Sequence, residues 1–159
     1  MRRSLSVLIA CAVVVSPLSA QARPDFSGKW SLDPKSVPSG MPAGTNVVVT
    51  LKQDAKTLNV DMVAITPMGD QKHATLVNLD GSPTKNTIPT PAGTIELTST
   101  AVWEGPVLKV TTSGDFQGYS MQQTDKWSLS ADKKSLDLET TMNMAGQKQQ
   151  TSKLSFIKQ

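Results

Sequence analysis

The strongest constraint on this chain is alternation. From about residue 27 onward, apolar residues recur at every second position and hardly anywhere at helical spacing. Leu58, Val60, Met62 and Ala64 fall on one face of an extended segment, with Asn59 and Asp61 opposite. Leu136, Leu138, Thr140, Met142 and Met144 repeat the pattern against Asp137, Glu139 and Asn143. Ile95, Leu97, Ala101 and Trp103 form a third set, and Leu108 with Val110 and Leu154 with Phe156 form shorter ones. Successive side chains of a strand point to opposite faces, so each run makes one dry and one wet surface. The pattern predicts nine strands, over 27–33, 45–53, 57–65, 71–79, 94–103, 106–113, 119–130, 135–144 and 149–158.

The punctuation fits. Gln53-Asp54-Ala55-Lys56, Glu104-Gly105, Ser130-Ala131-Asp132-Lys133 and Ala145-Gly146-Gln147 are short polar connections suited to hairpins. Short connections make neighbours antiparallel, because parallel strands need long crossovers. So long a meander exposes two edges unless it closes, and closure into a barrel removes them. The expected fold is therefore all-β, an antiparallel meander closed into a lipocalin-like barrel of about eight to ten strands. A two-sheet sandwich is the alternative. Two connections are long, Pro34 to Gly44 and Asp80 to Gly93, each with three prolines. Loops of that length are usually functional or mobile, and these could overhang an open barrel end. Lys29-Trp30-Ser31-Leu32 is echoed by Lys126-Trp127-Ser128-Leu129, which reads as two strands running into polar turns rather than as a repeat.

The start of the chain reads as a secretory signal peptide over 1–22. Met1-Arg2-Arg3 is basic, Leu5 to Val15 is apolar apart from Ser6, and Ala20-Gln21-Ala22 offers small residues for cleavage. The apolar run is shorter than the ~20 residues that span a bilayer, and nothing later replaces it, so stable membrane insertion is not expected. Leu8-Ile9-Ala10-Cys11 has the form of a lipobox, but the apolar run continues past the cysteine, so lipid anchoring at Cys11 is not favoured. The domain expected after export is 23–159, located in the periplasm or secreted. Without Arg2 and Arg3 it carries fourteen basic against thirteen acidic residues. That near-neutral balance removes the case for nucleic acid as a partner. Cys11 leaves with the leader, so neither a disulfide nor a thiol nucleophile remains.

Phe26-Ser27-Gly28-Lys29-Trp30-Ser31-Leu32 opens the domain. It resembles the first strand of calycins, the lipocalin, fatty-acid-binding and avidin-like barrels, in which a Gly-x-Trp element closes one end. Pro24-Asp25-Phe26-Ser27-Gly28-Lys29-Trp30 is also similar to the opening of small secreted bacterial lipocalin-like proteins. The resemblance implies that Phe26, Gly28 and Trp30 form a structural barrel plug, with glycine permitting close backbone approach and the indole filling the narrow end. It does not imply a fatty acid ligand. Fatty-acid-binding proteins carry a two-helix lid after the first strand, where only a short Pro/Gly loop fits here. They hold a carboxylate with Arg and Tyr of the last strand, where this chain has Lys153-Leu154-Ser155-Phe156. The Thr-Asp-x-x-Tyr element of typical lipocalins is missing too, since Thr124-Asp125 is followed by Lys126-Trp127-Ser128.

Candidate chemistry is sparse. His73 is the only histidine and reads as a surface strand residue; with no cysteine after the leader it cannot build a usual zinc or copper site, so no metal or other cofactor is expected. Carboxylates stand singly opposite apolar faces, without the fixed pair that acid–base catalysis needs. Six methionines follow the leader; thioethers suit Cu(I), yet methionine is also an ordinary lining of irregular cores and cavities, and that reading is preferred. An enzyme is therefore the weakest of the functional classes.

The seventh strand is the most informative. Tyr119, Met121, Gln123, Asp125, Trp127 and Leu129 share one parity, so if Trp127 faces inward then Gln123 and Asp125 do as well. A bulge near Gln123 would instead return both to solvent. Buried polar groups need partners, and ligand sites combine apolar walls with a few placed polar groups. Trp103, Tyr119, Met121, Gln123, Asp125 and Met142 are the candidate ligand-binding residues. The expected function is an exported module binding a small, mostly apolar molecule. The alternative is a protein-interaction module, an inhibitor or accessory subunit, whose barrel is filled by its own side chains.

Overall fold

The computed structural model describes residues 23–38, 41–67, 69–90, 93–116 and 118–159. The expected leader 1–22, with Cys11 and the cleavage site, lies outside them. The fold is all-β, as expected, but with ten strands rather than nine: β1 Gly28–Leu32, β2 Asn46–Gln53, β3 Thr57–Thr66, β4 Gly69–Asn78, β5 Thr84–Thr90, β6 Gly93–Glu104, β7 Val107–Phe116, β8 Tyr119–Leu129, β9 Ser135–Met144 and β10 Gln150–Lys158. The only helical element among the described residues is the 3-10 turn Pro34–Ser36, so none is long and apolar enough to cross a membrane. Asp33 starts that turn, its carboxylate accepting the Lys35 N–H at 2.9 Å. No two-helix lid follows β1 among the described residues.

Every pairing is antiparallel between chain neighbours, except that β1 also pairs with β10, Trp30 opposite Lys158. One sheet of order β4-β3-β2-β1-β10-β9-β8-β7-β6-β5 results, curled into a nearly closed barrel rather than split into a sandwich. Its two edges, β4 and β5, meet through side chains. Asn86 imitates a peptide group: its Oδ1 accepts the Leu76 N–H at 2.8 Å, and its Nδ2 donates to the Leu76 carbonyl at 2.9 Å. Thr84 Oγ1 accepts the Asn78 N–H at 3.1 Å. These bonds occupy edge groups that would otherwise invite foreign strands.

The extra strand corrects the reading of Asp80 to Gly93 as a long loop. Asp80 Oδ1 caps a tight turn by accepting the Ser82 N–H at 2.9 Å, and β5 follows at once. Its inward positions Thr84 and Asn86 are polar, which hid the alternation. As an edge strand paired on one side only, it also tolerates Pro89, since its ladder needs only alternate N–H groups.

One end of the barrel is shut. The segment before β1 crosses it and is tied down by Gln53, whose Oε1 accepts the Phe26 N–H and whose Nε2 donates to the Pro24 carbonyl, both at 3.0 Å. Phe26, Trp30 and Phe156 are fully buried there, each contributing about 2–3 kcal/mol of apolar burial. The Trp30 indole N–H donates to the Phe26 carbonyl at 3.0 Å, and Lys158 Nζ lies 5.2 Å from the centre of the Trp30 ring. Gly28 has φ +144°, and a Cβ there would come within 3.1 Å of Lys158 Cε. The lysine chain end can move aside, so it is the backbone conformation that calls for glycine here.

Candidate functional site

Above the plug the barrel encloses a cavity of about 540 Å³. Register decides its lining. β8 pairs without interruption with β7 (Thr112 opposite Gln123, Leu108 opposite Trp127) and with β9 (Asp125 opposite Thr140). No bulge flips its parity, so Trp127, Asp125, Gln123 and Met121 all face inward. The deep wall is apolar, with Leu58, Val60, Val77, Val110, Trp127 and Leu138. Toward the open end it is lined by Met62, Ile88, Ile95, Met121, Met142 and Met144.

Between these zones runs a polar belt. Thr140 Oγ1 donates to Asp125 Oδ1 at 2.6 Å, and Gln123 Nε2 donates to Asp125 Oδ2 at 2.8 Å. Thr112 stands opposite Gln123 on β7, and its hydroxyl shares a 2.9 Å hydrogen bond with Ser99 on β6. Asn86 Nδ2 reaches Ser99 Oγ at 3.4 Å, so the belt ends at the residue that closes the seam. Thr75 faces the cavity from β4.

Asp125 is the one carboxylate among the described lining residues, and none of them is Lys or Arg. Burial pushes its carboxyl up from the ordinary aspartate value, and the hydrogen bonds from Thr140 and Gln123 offset part of that rise. Both partners are neutral, so the charge of the ionised form is solvated by the belt but not cancelled. The outward neighbours are different in kind. Glu139, for example, pairs with Lys153 at 2.7 Å on the wet face, an exposed contact of little energetic weight.

The candidates read from sequence thus divide. Met121, Gln123, Asp125 and Met142 are gathered around one cavity. Trp103 is not part of its lining. It shares the inner parity of β6, but it sits opposite Leu108 at the plugged end, where its ring stacks on Phe26 with centroids 5.9 Å apart. Arg23 lies over its face, 5.4 Å from the ring centre. Tyr119, the first residue of β8, is 57% exposed and is not part of the cavity lining.

His73 corrects a sequence expectation. It faces the cavity rather than solvent, opposite Met62 of β3. Its flanks, Gln71 and Lys72, are polar and conceal a strand face, yet it shares parity with Thr75 and Val77, and that was the available signal. Thr75, Asn86, Ser99 and Thr112 were missed for the same reason: an inward Thr or Ser looks like an outward one in sequence. Among the described residues no three His, Cys, Asp or Glu side chains converge on a metal position. The methionines line opposite walls, Met62 on β3 and Met121, Met142 and Met144 on β8 and β9.

No protein-family model matches this chain, and no curated protein matches it in sequence. Solved structures do. The chain is similar to secretory abundant heat soluble protein 4 from Ramazzottius varieornatus, with TM-score 0.54 and 16% identity over 84% of this chain and 94% of that one. A second secretory abundant heat soluble protein from the same organism matches with TM-score 0.53 and 14% identity, covering 89% and 100% of the two chains. At such identities the likeness concerns the fold alone, an antiparallel β-barrel.

Proposed function

We propose that this chain is an exported binding protein that carries a small, mostly apolar molecule inside its barrel. The observation that supports this most is the cavity itself. Its volume of about 540 Å³ falls within the usual range for ligand pockets, and its walls are apolar with a few placed polar groups. Liquid water would fill that space with many molecules. A belt of amide, carboxylate and hydroxyl groups along one level would satisfy only a fraction of them, and the rest would face Leu, Val, Ile and Met. Exchange of that water for an apolar body is favourable. The alternative, a barrel filled by its own side chains and acting through its loops, is disfavoured by the same volume. Export rests on the leader-like first twenty-two residues.

The test is binding of the neutral apolar fluorophore N-phenyl-1-naphthylamine, read by fluorescence and by native mass spectrometry. One molecule per chain is expected, with binding lost in Met121→Trp, whose indole occupies the outer cavity, while the circular dichroism of the barrel is retained. Absence of stoichiometric binding to the wild type would overturn the proposal.

A further inference from the structure

We infer that the cavity prefers molecules with an apolar body and a cationic amine head, and that Asp125 holds that head. This rests on the binding reading above and specifies its ligand class. The argument begins with the charge inventory. A ligand entering the barrel meets one carboxylate and no Lys or Arg among the described lining residues; His73 is the sole other titratable group there. Asp125 sits at the boundary between the deep apolar wall and the polar belt, with Trp127 two residues on and Gln123 two residues back on the same face.

Its hydrogen bonding leaves room for a ligand. Thr140 occupies one acceptor position on Oδ1 and Gln123 one on Oδ2. A carboxylate has about four such positions, so roughly one remains on each oxygen. Neither partner carries charge, and no Lys or Arg forms an ion pair with Asp125 among the described residues. The outward neighbours Lys109, Lys126 and Glu139 lie on the other face of β7, β8 and β9. An ammonium group supplies what is lacking: a positive charge and up to three N–H donors, charge-assisted at the carboxylate. The Gln123 carbonyl and the Thr112 and Ser99 hydroxyls lie along the belt as acceptors for the remaining donors.

The same inventory disfavours other heads. A fatty acid would bring a second carboxylate beside Asp125 with no cation to balance either, and like charges at short range disfavour ionisation of both. An alcohol could donate one hydrogen bond but would leave the carboxylate charge uncompensated. The expected order is therefore amine, then alcohol, then acid.

The test is displacement of N-phenyl-1-naphthylamine at neutral pH by dodecylamine, 1-dodecanol and dodecanoic acid, each below its micelle concentration, with probe affinity measured separately for each protein. In the wild type the amine is expected to bind at least about tenfold more tightly than the acid. In Asp125→Asn, which keeps the size of the side chain and removes its charge, that ratio is expected to fall to within about threefold of unity. Equal or tighter binding of the acid by the wild type overturns the inference, as does an amine preference that survives in Asp125→Asn. The wild-type ratio decides the matter alone should the variant fail to fold. Probe binding with no amine preference sinks only this inference, whereas absence of any probe binding sinks the binding reading itself.

Discussion

The seam between β4 and β5 gives the sharpest test of how this barrel closes. Asn86 makes two hydrogen bonds to the backbone of Leu76, accepting its N–H at 2.8 Å and donating to its carbonyl at 2.9 Å. Asn86→Ala removes both, and with them the longer 3.4 Å bond to Ser99 Oγ, which at that length should add little. A net hydrogen bond contributes about 1 kcal/mol, so the loss should be about 2 kcal/mol. Both bonds are part-buried rather than fully buried, so the penalty for stranding the Leu76 N–H and carbonyl should be small. For a domain of this size 1 kcal/mol corresponds to roughly 3–5 °C, so Tm should drop by about 6–10 °C. Thermal melting followed by far-UV circular dichroism measures the shift. Amide exchange locates it: the Leu76 amide should lose protection, while Val77, paired with Leu58 on β3, should lose far less. Asn86→Asp sharpens the test. It keeps an acceptor for the Leu76 N–H but sets a carboxylate oxygen against the Leu76 carbonyl, so it should be at least as harmful as Ala at neutral pH. Acidification should relieve it in part, since a protonated carboxyl can donate again. A Tm loss below about 2 °C for Asn86→Ala, or unchanged exchange at Leu76, would refute the reasoning.

Two further outcomes are expected. Burial raises the Asp125 carboxyl in the folded protein, so the folded state holds this proton more tightly than the unfolded chain. Its contribution to stability is full below the free-carboxyl value of 3.8 and is lost as pH rises through the raised folded value. Urea midpoints should therefore show Asp125→Asn more stable than wild type at neutral pH, with the gap closing on acidification; a gap independent of pH would contradict this. Gly114 permits close approach of β7 to β6, since a Cβ there would lie 2.5 Å from Leu97 Cδ2 and 2.9 Å from the Glu96 carbonyl oxygen. The leucine can shift but the carbonyl is fixed in the ladder, so Gly114→Ala should cost about 1–3 kcal/mol in urea unfolding, and a neutral result would mean that β6 yields.

Sequence and structure agree best where burial is strongest. Leu58, Val60, Leu136 and Leu138 alternate cleanly because every second position packs into a dry core. The plug role of Phe26, Gly28 and Trp30 was an expectation from resemblance, and what the structure adds is that Phe26 and Trp30 are fully buried. The parity of β8 was legible too, but whether Gln123 and Asp125 faced inward hung on a bulge that sequence leaves open. Thr84, Asn86, Ser99 and His73 were illegible because the cavity side of this barrel is partly polar, and a polar inner face erases the contrast on which periodicity depends.

What the sequence determined by itself is local: extended backbone from β-branched and alternating residues, turns from Gly, Pro and Asp, and antiparallel neighbours from short connections. What only the tertiary structure decided is non-local. The pairing of β1 with β10 brings Trp30 beside Lys158, the side chain of Asn86 joins two edges that lack a ladder, and four strands carry Ser99, Thr112, Asp125 and Thr140 to one belt. Alternation fixes which residues share a face of one strand. Which residues meet across a cavity depends on the register and curvature of the whole sheet, and those follow from the packing of all ten strands together.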